Sequence, residues 1–321
     1  MDDKVKKNLG LAIRIIIPVV LIYLLFRNLD WKTVAQTLRG YPLWILAAAV
    51  LMYVGANFLF AFRWHYFLKS VHIDIPYTYV VSLVFYSLFL SNFLPTTIGG
   101  DLVKVAGILN RDGPERKSIK ISSVVADRIF SFGSKILLLP FTLYIFKGFV
   151  PVDFKLPWLQ SLVFIKWLPK KWQAKAEGYW QAVKPWFSFR QIASVLGISW
   201  LSLLINILSF WMAIRVLNPS VSAIQIFCVT LLTYFASILP ITINGIGVQE
   251  GSITYLLTLI GFTYEQGIAA ALLIRVITII VSLLGGVWLL ISGKDLWKSI
   301  RSGKMTDFSK DLEKPGEKEA E

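Results

Sequence analysis

Cysteine and histidine are almost missing from this chain: its 321 residues contain one cysteine, Cys228, and two histidines, His65 and His72. A lone cysteine inside an apolar run makes no internal disulfide, and the redox compartment cannot be read from it. The histidines stand seven apart, with no carboxylate or cysteine at ligand spacing, so no metal site is expected. There is no Walker loop, no paired-cysteine motif and no nucleophile elbow, which argues against ATP-driven transport by this chain alone and leaves no cofactor expected. Charge is missing from long stretches too. Leu43–Phe62, Tyr77–Leu94, Ile192–Ile214 and Ala223–Ile243 contain no charged residue.

What is present is apolar. Hydrophobic side chains make up 56 % of the sequence, and the mean hydropathy is +0.64. Leu9–Phe26 carries only Arg14, Gly267–Ser292 only Arg275, and Ile121–Phe146 only Asp127, Arg128 and Lys135. Such runs approach or exceed the roughly 20 apolar residues of a spanning helix and are too long for barrel strands. Seven strong spans are expected, with two shorter apolar stretches, Leu102–Asn110 and Val248–Gly261, read as re-entrant. Leu9–Phe26 is read as a retained span because Phe26-Arg27-Asn28-Leu29 is a poor cleavage site.

The formal net charge is +14, and it lies in the membrane body, because the tail from Lys294 has seven basic and seven acidic residues. Lys4, Lys6 and Lys7 precede the first span; Lys294, Lys298, Arg301 and Lys304 follow the last, so both ends are expected on the cytoplasmic face. Seven full crossings would separate the ends, so seven to eight are expected, the extra one supplied by a broken segment or by part of 148–190. That segment has seven basic residues, two acidic ones, and Trp158, Trp167, Trp172, Trp180 and Trp186. Tryptophan with lysine suits the headgroup layer, so helices lying on the membrane are expected there. Arg63-Trp64, at the end of an apolar run, reads as an interfacial anchor.

One phrase occurs twice: Leu94-Pro95-Thr96-Thr97-Ile98-Gly99-Gly100 and Leu239-Pro240-Ile241-Thr242-Ile243-Asn244-Gly245. Pro95 and Pro240 remove a backbone donor and break the helix that each ends. A broken helix at membrane depth is buried in protein or lines a wet cavity. Two matched breaks point to a transport site. The match extends further along the chain. Arg128 lies 33 residues past Pro95, with Ser131 and Lys135 at i+3 and i+7. Arg275 lies 35 past Pro240, with Thr278 and Ser282 at the same offsets. Each trio shares a helix face.

Leu94-Pro95-Thr96-Thr97-Ile98-Gly99-Gly100-Asp101-Leu102-Val103-Lys104, then Val125-Ala126-Asp127-Arg128, then Leu239-Pro240-Ile241-Thr242-Ile243-Asn244-Gly245-Ile246-Gly247-Val248-Gln249-Glu250-Gly251 resemble, in order, the signature blocks of one family. It is the transmembrane region of lysylphosphatidylglycerol synthases, also met as stand-alone flippase-like proteins. The resemblance covers about Leu9 to Ser292. It implies an integral protein of a bacterial or archaeal cytoplasmic membrane whose larger relatives implicate this region in moving lipid headgroups between leaflets. The synthases carry a soluble aminoacyl-transfer domain; no such domain, and so no lysyl transfer, is expected here.

Arg128 and Arg275 sit seven or eight residues into their spans, where charge is costly and functional by default. Arginine grips phosphate with a planar fork, so two of them near the midplane suit one lipid phosphate; the competing reading pairs them with Asp127, Asp101 or Glu250. Asp127 and Arg128 point about 100° apart and are poor partners for each other. Asp101 reads either as a helix cap or as a group orienting a lysine or arginine, while the amides at Gly99 and Gly100 and the charge of Lys104 face a phosphate. Glu250 reads as a helix-start carboxylate, an ion-pair partner or a proton-coupling site, and Asp101, Asp127 and Glu250 together are expected to balance charge or couple to protons. Gly245 and Gly247 allow close backbone approach, Asn244 tolerates a left-handed turn, and Thr97, Thr242 and Asn244 supply hydrogen bonds.

These readings combine into an all-α polytopic membrane protein, with seven to eight spanning helices and two re-entrant broken-helix hairpins in an internal repeat. The transmembrane flippase-like domain is 1–293, with repeat halves about 77–147 and 223–292 and an interfacial segment at 148–190; a polar tail occupies 294–321. The expected function is translocation of an anionic lipid or lipid-linked headgroup. Membrane lipids are the expected partners, and neither catalysis nor nucleic-acid binding is expected. The alternatives are an intramembrane lipid-phosphate transferase, which would need Asp101 or Glu250 as base or nucleophile, and a non-catalytic membrane subunit.

Overall fold

The computed structural model describes residues 31–92, 99–112, 117–149, 186, 188–238 and 245–292. Among the described residues every regular element is a helix. In chain order they are α1 (Trp31–Leu38), α2 (Leu43–Ser70), α3 (Tyr77–Ser91), α4 (Gly99–Asp112), α5 (Lys117–Lys147), α6 (Phe189–Arg215), α7 (Ala223–Ser237), α8 (Val248–Leu259) and α9 (Tyr264–Ser292).

Local sequence explains where the helices start. Pro42 and Pro76 precede α2 and α3, at positions where a missing N–H removes no helical bond. Ser222 and Gln225 form a reciprocal capping box at α7. Thr263 and Gln266 do the same at α9, through bonds of 3.1 and 3.2 Å.

Among the described residues four helices are long and apolar enough to cross a membrane: α2, α5, α6 and α9, of 28, 31, 27 and 29 residues. At 1.5 Å per residue each exceeds ~40 Å, more than the ~30 Å hydrocarbon core. Two expected spans come out shorter. Tyr77–Leu94 is helical only to Ser91, and Ala223–Ile243 only to Ser237, giving 15 residues each. Each reaches ~22 Å, short of a full crossing. The expected span Leu9–Phe26, the tail 294–321 and most of the segment 148–190 lie outside the described residues, as do both helix-break prolines, Pro95 and Pro240.

Polarity is arranged with the apolar side chains outward. Leu43, Trp44, Leu51, Tyr144 and Leu290 are each at least 70 % exposed, whereas Arg63, Lys120, Asp127 and Lys135 are buried. Such an exterior suits lipid tails rather than water. Trp186 corrects the expectation of a headgroup-layer tryptophan: it is fully buried, and its indole N–H donates to the Phe67 carbonyl at 3.0 Å.

Small residues and hydroxyls hold the bundle together, as they do where hydrophobic burial gives little between helices in lipid. α2 lies along α6, where Ser202 and Ser209 donate to the Ala56 and Ala49 carbonyls at 2.8 and 2.7 Å. α9 crosses α3 so closely that a Cβ on Gly285 would sit 2.1 Å from the Phe85 carbonyl oxygen. α5 packs on α7, and α4 on α3. The walls of the site come from these contacts.

Candidate functional site

A cavity of about 440 Å³ lies between α2, α5, α6 and α7, with contributions from α3, α4, α8 and α9. One part of its wall is apolar, with Phe60, Leu203, Phe210, Ile226, Val229 and Ile274. Another carries charge: Arg63 from α2, Lys104 from α4, and Asp127, Arg128 and Lys135 from α5. The helical spacing of α5 brings its members together, since Arg128, Ser131 and Lys135 fall on one face.

Asp127 is the centre of a buried network. The guanidinium of Arg63 reaches its Oδ1 through Nε at 2.9 Å and Nη2 at 2.7 Å. Arg63 Nη1 also donates to the Ser199 hydroxyl at 2.9 Å, tying α2, α5 and α6 together. Lys104 Nζ stands 3.6 Å from Asp127 Oδ2 and 5.2 Å from the Trp64 ring centroid. One carboxylate therefore serves two cations, and neither partner is easily spared once both are out of water.

Arg128 faces differently. Its Nε binds Asp101 Oδ2 at 2.7 Å, yet its side chain is 58 % exposed. Asp101 is 10 % exposed, and its Oδ1 has no hydrogen-bond partner. Lys135 is buried, donates to the Ser131 carbonyl and hydroxyl at 3.1 Å each, and stands 4.3 Å from the Tyr234 ring centroid. Among the described residues it has no carboxylate partner. The wall thus presents four cations: Asp127 balances two, Asp101 a third, and Lys135 is left without a carboxylate among the described residues.

Arg275 follows the competing reading, pairing with a carboxylate. It is not among the residues lining the cavity, although Ile274 and Thr278 on either side are. Its guanidinium is paired with Glu250, which also accepts from the Gly247 N–H at 2.7 Å and so closes the first turn of α8. The Gly247 amide is engaged by protein and turns away from an anion-cradling role; the glycine is needed for its φ of +83°, as Gly245 is for +69°. Gly100 is likewise used for packing, because a Cβ there would fall 2.4 Å from the Ser91 hydroxyl and 2.5 Å from that of Ser87.

The sequence-predicted residues therefore divide. Lys104, Asp127 and Arg128 meet at the cavity, and Asp101 holds Arg128. Arg275, Glu250, Gly245 and Gly247 gather at the start of α8 and are not themselves among the lining residues, although Gln249, Ile274 and Thr278 beside them are. Gly99 opens α4. Thr97, Thr242 and Asn244 lie outside the described residues. Arg63 is a second correction. The expected interfacial anchor is 2 % exposed, and Trp64 beside it is fully buried, donating to the Ser123 hydroxyl at 3.3 Å. α2 continues to Ser70, which carries Arg63 inside the bundle. Lys135 was visible as the i+7 neighbour of Arg128, although nothing in its spacing distinguished it from a snorkelling lysine.

Apolar exterior, long helices and a charged interior define an integral membrane protein of helical type. The model of the lysylphosphatidylglycerol synthase TM region matches residues 10–286, and the chain belongs to that family. It is similar to two archaeal proteins named UPF0104 membrane proteins. The one from Methanocaldococcus jannaschii is 24 % identical over 320 residues, covering 87 % of this chain and 93 % of that protein. The one from Pyrococcus horikoshii is 34 % identical over 120 residues, covering 37 % of this chain and 35 % of that protein's length.

Proposed function

We propose that this protein translocates an anionic lipid or lipid-linked headgroup across the membrane, with its phosphate held at the cationic wall of the cavity. The observation that carries this reading is the charge imbalance among the described residues: of the four cations lining the cavity, Asp127 serves Arg63 and Lys104, Asp101 serves Arg128, and Lys135 has no carboxylate. Unbalanced cations inside a membrane bundle are costly and favour a resident anion. Lys135 and Arg128 do the binding. Arg63 and Lys104 are held back by Asp127, and Asp101 aims Arg128. The apolar wall gives acyl or isoprenoid chains a surface while the headgroup crosses. The family's description, a region of an enzyme that acts on a phospholipid, agrees with a lipid substrate.

The two helix series support an internal repeat. α3, α4 and α5 have 15, 14 and 31 residues; α7, α8 and α9 have 15, 12 and 29. Arg128 follows Lys117, the first residue of α5, by eleven positions, and Arg275 follows Tyr264, the first of α9, by eleven. In our reading each short pair is a re-entrant hairpin, and the protein works in the cytoplasmic membrane of a bacterium or archaeon. In this reading the protein performs no covalent chemistry, and in keeping with it Asp127, the lining carboxylate among the described residues, is held between two cations. Intramembrane transfer would need a free base there.

The test is movement of a fluorescent anionic phospholipid between leaflets of reconstituted vesicles, read by quenching of the outer leaflet. Arg128→Gln and Lys135→Met each lower the rate by about tenfold or more, the equivalent of one charge-assisted hydrogen bond at ~1.4 kcal/mol. Both proteins should remain monodisperse. Full rates in both variants overturn the proposal.

A further inference from the structure

Among the described residues Arg63, Arg128 and Arg275 each pair with a carboxylate, and the pairs are not equally complete. Arg63 engages Asp127 Oδ1 through Nε and Nη2, and Lys104 stands 3.6 Å from Oδ2. Arg275 engages Glu250 Oε1 through Nε and Nη2, and Oε2 accepts from the Gly247 N–H at 2.7 Å. In both carboxylates each oxygen has a partner. Asp101 departs from this. Its Oδ2 meets Arg128 Nε at 2.7 Å, but its Oδ1 is buried with no hydrogen-bond partner. The usual arginine–carboxylate fork uses two parallel bonds, and this pair makes one. A buried acceptor left unmatched is costly. The neighbours do not offer a second cation. α4 packs on α3, which brings Ser87 and Ser91 against Gly100 and carries no charged residue, its titratable groups being Tyr77, Tyr79 and Tyr86. α5 brings Arg128 and Asp127, while Lys104, one turn along α4, is turned to Asp127. Lys135 and Tyr234 lie further along the cavity wall, 4.3 Å apart from Nζ to ring centroid. The Ser91 hydroxyl is committed to the Ser87 carbonyl at 2.6 Å. A metal cation takes several free oxygens, whereas a proton takes one.

We infer that Asp101 is a proton-binding site, and that one proton crosses the membrane with each anionic headgroup. The inference rests on the function proposed above and adds its coupling ion. A proton taken from water on one side bonds to Oδ1 and turns the carboxylate into a neutral acid. Arg128 then loses its counter-charge. Its side chain, more than half exposed and lining the cavity, is free to bind a phosphate oxygen. When the phosphate leaves on the other side, the O–H bond breaks, its electron pair stays on Oδ1 and the proton passes to water there. The restored carboxylate recaptures Arg128 and resets the site. Asp127 and Glu250 are unsuited to this step, because a proton on either would strand a cation that has no phosphate to turn to: Arg63 is 2 % exposed, and Arg275 is not among the lining residues. A phosphodiester and a proton carry no net charge together, so the transmembrane voltage neither drives nor opposes their joint passage.

The test uses the full chain in phosphatidylcholine vesicles with a trace of fluorescent phosphatidylglycerol, the voltage clamped by potassium and valinomycin. Quenching of the outer leaflet reads the inner-to-outer ratio of the label after acid is added outside. A difference of one pH unit raises the ratio to about tenfold, the equilibrium value for one proton per lipid. Asp101→Asn leaves the ratio near one, and Asp101→Glu, which restores an oxygen that can take a proton, recovers part of the rise. An unaltered protein that exchanges the label at equal pH yet holds the ratio at one under the acid step overturns the proton site and leaves the lipid reading standing. An Asp101→Asn protein that still concentrates the label about tenfold overturns the assignment to Asp101. A ratio that follows a sodium difference at equal pH overturns the proton in favour of a metal cation. An unaltered protein that exchanges no label at equal pH overturns the lipid reading itself.

Discussion

Asp127 and Asp101 are both carboxylates paired with arginine, yet burial makes them unequal. Arg63 is 2 % exposed and depends on Asp127 for its charge partner. Asp127→Asn leaves that guanidinium, and Lys104 with it, without a counter-charge in the bundle. Breaking one side of a buried pair costs ~3–5 kcal/mol. The partner of Asp101 is Arg128, whose side chain is 58 % exposed, so solvent screening keeps the cost of Asp101→Asn below ~1 kcal/mol. Thermal unfolding of the two variants in detergent should therefore separate them, with Asp127→Asn melting far lower. Equal melting points would mean that Arg63 finds another partner. At this scale the sequence showed part of the site. Arg128, Asp127 and Lys104 stand out because charge inside an apolar run is expensive. Arg63 did not, because it follows a charge-free run and sits beside Trp64, the pattern of a membrane-edge anchor. Only the packing of α2 against α5 and α6 reveals it as interior.

The elements tell a similar story about close approach. Gly285 on α9 has the Phe85 backbone where its Cβ would be, at 2.1 Å from the carbonyl oxygen. Backbone cannot swing aside as a side-chain tip does, so Gly285→Ala pushes α9 off α3. Gly55, inside α2, has nothing within 4 Å of that point. Gly55→Ala is neutral or stabilising by up to ~1 kcal/mol through helix propensity. Urea or thermal unfolding of the two variants checks the contrast, and a Gly285→Ala protein as stable as Gly55→Ala would show that the crossing is looser than drawn. The four long helices were legible from their apolar lengths. The ends of α3 and α7 were less so. Their apolar runs continue to Leu94 and Ile243, but the helices stop at Ser91 and Ser237, just before the repeated phrase. A hydropathy run records what lipid tolerates, whereas a helix end records where backbone bonding stops.

Over the whole molecule the two series α3–α4–α5 and α7–α8–α9 interlock. The arginine helix of each packs on the first helix of the other, α5 on α7 and α9 on α3. Each arginine meets a carboxylate at the third residue of the preceding short helix, Asp101 in α4 and Glu250 in α8. The pairings correspond, but their surroundings differ. Arg128 lines the cavity beside a lysine with no carboxylate partner among the described residues, while Arg275 stands 18 % exposed against Glu250 and is not among the lining residues. On the proposed function the Arg128–Asp101 pair, with its guanidinium more than half exposed, serves substrate, and the Arg275–Glu250 pair fastens α9 to α8. A double replacement distinguishes these roles. R275M/E250Q removes both charges together and leaves a glutamine able to accept from the Gly247 amide, so the α8 turn survives. Its lipid translocation should stay within about twofold of the unaltered protein, whereas either single replacement leaves an unpaired charge and should lower stability. R128M/D101N, equally neutral, should lose translocation by about tenfold or more while remaining folded. If R275M/E250Q folds and yet fails to move lipid, Arg275 enters the substrate's path, and the two arginines act in turn as the headgroup passes from one series of helices to the other.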